Sequence, residues 1–204
     1  MRLFNLLAGT ALALALGTGA QAAVFTSLSS WQSAMGTYSE TNSLGFVGST
    51  ISSFTTTDGT PVAVGAQNNR VEQIGSGWST WSGGYGGQLL TDYTSTSLVL
   101  TLGAPVRGFG FFVEPEPFAL EDITVTTAGG ATLTQNVDGN GGADFFGFTG
   151  PGLSSFTVTS PQGFGTGDFF SAVGVPEPST WAMLILGLGA VGVALRRRKV
   201  ALAA

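Results

Sequence analysis

The 204-residue chain has no cysteine and no histidine. Without cysteine there is no disulfide framework, so an exported form must be stabilised by burial alone or with help from a metal. Losing both residue types also removes Ser-His-Asp and Cys-His nucleophile systems, together with the usual zinc ligands. Charge is scarce as well, at 9% of residues. Between residues 23 and 175 the cations are Arg70 and Arg107, against eleven carboxylates. A field of that sign repels phosphate backbones, which excludes nucleic acid as a natural partner and suits cations such as Ca²⁺ better.

Long aliphatic runs are missing from the middle and concentrated at the ends. Arg2 is followed by an Ala/Leu-rich run to Leu16 and then by small residues up to Ala22. That order reads as a secretory signal peptide over 1–22, cleaved between Ala22 and Ala23. At the other end, Pro176-Glu177-Pro178 leads into an uncharged stretch from Thr180 to Leu195, then Arg196, Arg197, Arg198 and Lys199. As a helix that stretch is about 24 Å long, somewhat short for a bilayer core of about 30 Å. The four cations would hold its end in the cytoplasm, leaving the body on the far side of the membrane.

This tail, over residues 175–200, resembles the PEP-CTERM sorting signal of Gram-negative bacteria. Pro176, Glu177 and Pro178 match its motif, and Arg196 to Lys199 match its basic end. The resemblance implies an exosortase as processing partner, a membrane-embedded cysteine transpeptidase-like enzyme, alongside the secretion machinery. It also implies an inner-membrane intermediate, then a place at the cell surface or in an exopolysaccharide-containing matrix. Physically, two prolines keep the motif extended and outside the helix, and Glu177 offers one charge at the membrane face.

The body, 23–174, has one short helix pattern. Leu28, Trp31 and Met35 share a side, Ser29 or Ser30 can cap it, and Gly36 can end it. From there the period is two. Leu98, Leu100 and Leu102 alternate with polar or smaller residues before a turn at Gly103-Ala104-Pro105. Arg107, Phe109, Phe111 and Val113 then share one face, with Gly108, Gly110 and Phe112 on the other. Ile123 and Val125 pair with Thr132–Val137 across Gly129-Gly130, and Phe146/Phe148, Phe156/Val158 and Phe169/Val173 continue the pattern. The fold class expected is all-β, an antiparallel jelly-roll-like β-sandwich with one short N-terminal helix. The layout also resembles sandwich domains found ahead of PEP-CTERM tails, some of which are galactose-binding-like and hold a structural Ca²⁺.

Three sets of residues are candidates for chemistry in the body. Trp78, Trp81 and Tyr85, on a Gly-rich segment, form either a stacking platform for sugar rings or plugs that close one end of the sandwich, and large aromatics are usually mostly buried. Asp138, Asn140 and Asp144 lie on a tight Gly-rich loop that offers oxygens to Ca²⁺ or simply makes a hairpin turn. Glu114 and Glu116, with Glu121 and Asp122, would need a particular separation to hydrolyse a glycoside. Glu121 and Asp122 would point to opposite faces of a strand, and a solvated acidic loop is the preferred reading. The reading is of a non-enzymatic surface protein without a cofactor, with carbohydrate binding and acid hydrolysis as alternatives.

Overall fold

The computed structural model describes residues 22–65, 69–116 and 118–174, together with Ile185 and Leu188. The signal peptide and almost the whole sorting tail, including Pro176–Pro178 and Arg196–Lys199, lie outside the described residues. Among the described residues no helix is long and apolar enough to cross a membrane.

The period-two pattern folds as expected into antiparallel strands, but as one sheet where two were anticipated. Its order is β5 (Arg70–Gln73), β6 (Gln88–Asp92), β11 (Phe164–Ala172), β7 (Ser97–Pro115), β10 (Asp144–Thr159), β8 (Leu120–Thr127) and β9 (Thr132–Asp138). Short strands β1 (Ala23–Phe25), β2 (Ser39–Thr41) and the hairpin β3–β4 (Ser53–Thr55, Pro61–Val64) add to β10, β11 and β7.

The sheet curls back on itself because β7 and β10 are long and bend together. Their register shifts between Thr149 and Leu153 and again between Leu153 and Ser155. Gly103-Ala104-Pro105, expected to be a turn between two strands, lies inside β7 at this corner. Proline lacks the ladder N–H and is tolerated at such a bulge, so the strand bends without ending. The corner also switches the parity of the buried side chains. Leu98, Leu100 and Leu102 face inward before it, and Phe109, Phe111 and Val113 after it.

The two halves therefore enclose one core. Phe109 stacks on Phe156 at 5.0 Å, and Phe54 meets Phe169 at 4.8 Å, both pairs joining one half to the other. One end of this sandwich is the fold-over corner. The other is a loop end, where the connections 92–97, 115–120, 138–144 and 159–164 cross between the halves.

On the opposite face from Phe109 and Phe111, glycines alternate with Phe112 and Phe145. Gly110 pairs directly with Gly147, and the Phe145 ring lies over both, 2.5 Å from where either Cβ would stand. Gly108 leaves room for Met35 and Trp31. These two residues come from α1 (Leu28–Met35), which packs there with Leu28, Phe112, Phe145 and Phe170. Trp31 is fully buried, and its indole N–H donates to the Phe148 carbonyl at 3.0 Å. The N-cap position is Ser27, two residues before Ser29 and without a side-chain capping bond, and the helix ends as expected at Gly36.

Candidate functional site

Two regions carry polar chemistry, one at each end of the sandwich. At the fold-over corner, β11 ends at Ala172 and the chain leaves through Val173 and Gly174. Arg107, expected on the core face with Phe109, is only half-buried and turns to this exit. Its Nε donates to the Val173 carbonyl at 3.1 Å, and one Nη donates to the carbonyls of Met35 and Thr37 at 2.7 and 3.0 Å. One guanidinium thus ties two carbonyls at and just beyond the end of α1 to the residue that follows the last strand. Beside it, Asp58 accepts from Thr56, Thr60 and Ser171. Burial raises its pKa, but those donors outweigh burial and hold the carboxyl below the usual range.

At the loop end, the 14-residue connection from β5 to β6 folds over the outer face of the sheet. Trp78 is 3% exposed and packs between Tyr93, stacked at 6.1 Å, and Phe118, edge-on at 5.5 Å. Its ring also lies where a Cβ on Gly165 would come, so a glycine in β11 admits it. Trp78 is therefore a plug with no face open to a sugar ring.

Glu114, read from sequence as part of an acidic loop, is fully buried at the end of β7 beneath this connection. The Thr80 hydroxyl donates to its Oε1, and the Trp78 indole lies close enough to help hold the charge. Burial outweighs both and pushes the carboxyl up. Its other oxygen has no hydrogen-bond partner. The signal available in the sequence was alternation, since Glu114 continues the Gly108, Gly110, Phe112 face.

Trp81 and Tyr85 behave differently from Trp78. Both are half-buried, with ring centroids 6.0 Å apart and planes inclined at 42°. The Tyr85 hydroxyl donates to the Gln88 carbonyl at 2.7 Å, and burial and the neighbouring Asp168 raise its pKa. Asp168 sits at the bulge between Gly167 and Phe170 with φ +52°, a left-handed conformation uncommon for any residue but glycine. It is 7% exposed, and burial together with Glu40 pushes its carboxyl up to about 7. Sequence reasoning had not singled out this pair, because the bulge that brings Asp168 to Glu40 follows no local pattern.

The Asp138–Asp144 loop is a turn that closes on itself. Asp138 Oδ1 accepts from the Asn140 backbone N–H at 3.0 Å, and the Asn140 amide donates to the Phe118 carbonyl. Asp144 stands apart at the start of β10. Among the described residues no group of three or more His, Cys, Asp or Glu is arranged to hold a metal ion. Glu121 and Asp122 alternate along β8, with Asp122 accepting from Asn136 at 2.8 Å.

Comparison with protein families matches residues 174–199 to the PEP-CTERM protein-sorting motif. No curated protein matches the chain. The matched segment begins one residue beyond the carbonyl that Arg107 holds. The chain is a β-rich body followed directly by a PEP-CTERM protein-sorting motif, which implies an exosortase as its processing partner.

Proposed function

We propose that this protein is a non-enzymatic component of the cell surface or extracellular matrix, delivered by its tail. In this reading the signal peptide over 1–22 starts export. The segment Thr180–Leu195 then holds an intermediate in the inner membrane with its basic end in the cytoplasm. The exosortase processes the chain near Pro176–Pro178, and the body is displayed, free or attached to exopolysaccharide. The observation that carries the proposal is the sorting motif abutting the end of β11. The body needs no catalytic groups for this role, and the lack of histidine and cysteine fits it. Mass spectrometry of the protein from its native host, in separated membrane and surface fractions, tests it.

A second reading makes the loop end a carbohydrate contact. It rests on Trp81 and Tyr85, whose tilted, half-buried rings stand on the connection that folds over the sheet. Glycan binding that Trp81→Ala abolishes would support this reading. Binding that persists in that variant would remove it.

A further inference from the structure

We infer that the fold-over corner is the face the body turns toward the lipid surface while the tail is still inserted, with the loop end pointing away. This rests on the reading of Thr180–Leu195 as membrane-inserted.

The first support is topological. Ala172 pairs with Gly108, Gly108 with Thr149, and Thr149 with Ala23, so the two ends of the body lie on one row across the sheet. Three strand spacings separate them, about 14 Å. Because β1 is antiparallel to β10, β10 to β7 and β7 to β11, β1 starts at this row and β11 ends at it. Both termini therefore leave through the same edge and in the same direction. The connections 92–97, 115–120 and 159–164 lie at the opposite end of these strands.

The second support is reach. Six residues lie between Val173 and Thr180, and the seven steps from one to the other span at most about 25 Å fully extended. Arg107 holds the Val173 carbonyl, so the strand contributes no extra slack. That tether keeps the exit edge within about 25 Å of the inserted segment.

The third support is charge. The loop end carries Asp92, Glu116, Glu121, Asp138 and Asp144, against the cation Arg70, which pairs with Thr91 at the same end. An anionic leaflet repels such an end. At the corner the carboxylates are Asp58, tied down by three donors, and exposed Glu40, and the cation is Arg107. Tyr38 and Val173, 37% and 48% exposed, flank the guanidinium there. An aromatic hydroxyl, an apolar side chain and a cation together suit the headgroup boundary.

The absence of cysteine allows a clean test. Thr37→Cys at the corner and Gln162→Cys at the loop end, both exposed positions, are each labelled with a fluorophore in the full chain. The protein is reconstituted into phosphatidylethanolamine/phosphatidylglycerol vesicles containing a headgroup nitroxide lipid, and flotation confirms association. The expected result is strong quenching at residue 37 and little at residue 162. Equal quenching at both, quenching at neither, or stronger quenching at 162 in floating vesicles would overturn the orientation. A chain that fails to float would overturn the membrane-inserted tail, and the orientation with it.

Discussion

Arg107 holds the carbonyl of Val173 at 3.1 Å, one residue before the sorting motif begins at residue 174. Folded body and sorting signal are thus separated by almost no linker, and one side chain sets where the first ends. The same guanidinium closes the C-terminal turn of α1, so helix, last strand and tail exit form one connected unit.

Removing that side chain should loosen all three. Arg107→Ala is expected to cost about 1–3 kcal/mol, as for hydrogen bonds from a charged donor to backbone carbonyls. Arg107→Lys should recover only part of this, since an ammonium is a point donor that cannot span three carbonyls as a fork does. Urea titration of both variants measures it. Equal stability of wild type and Arg107→Ala would show that water satisfies those carbonyls as well.

The glycine face of the sheet makes a sharper prediction. A methyl group at Gly147 would stand 2.5 Å from Phe145 and 2.7 Å from Trp31. Gly147→Ala should destabilise by about 1–3 kcal/mol through overpacking. Gly86→Ala, where nothing stands within 4 Å, should have little effect. Thermal unfolding of the two variants compares them, and similar melting temperatures would mean that α1 does not press on the sheet as described.

Asp168 should make stability depend on pH in the sense opposite to ordinary carboxylates. Its folded pKa of about 7 lies above the unfolded value, because burial and Glu40 disfavour its charge. The folded state then binds more protons than the unfolded state between about pH 4 and 7. Its contribution is fully present below pH 4 and is lost as pH rises through 7, at up to about 1.4 kcal/mol per pH unit. Asp168→Asn should flatten this slope and raise stability at pH 8. An unchanged slope in the variant would place the titration elsewhere.

The two tryptophans of the loop end should separate by role. Trp78→Ala empties a plug between Tyr93 and Phe118 and should cost about 3–5 kcal/mol. Trp81→Ala removes a half-exposed ring and should cost much less, while lowering any glycan binding. If both variants lose binding at undiminished stability, Trp78 is not the plug its burial indicates.

Much of this architecture is written locally. Leu28, Trp31 and Met35 mark the buried side of α1, and the Ile123–Val125 alternation with Gly129-Gly130 marks the β8–β9 hairpin. Pro176-Glu177-Pro178 and the basic end are contiguous motifs, which is why the tail is the most readable part of the chain. The corner in β7 is different. A Gly-Ala-Pro triplet serves a turn and a bulge equally well, and only the partner strand's shift at Leu153 decides between them. Alternation gives the face of Glu114 but not its cover, a connection whose Thr80 lies 34 residues earlier, and Asp168 as a buried acid is invisible because a bulge turns it. A long-range covering cannot be read from spacing along the chain.

The central claim is that the body is delivered by a tail that is then processed, and intact mass in the native host tests it most directly. The account predicts a species beginning near Ala23 and ending within Pro176–Ser179, recovered outside the inner membrane. A species that keeps Arg196–Lys199 and stays in the inner membrane would contradict it and make the tail a permanent anchor.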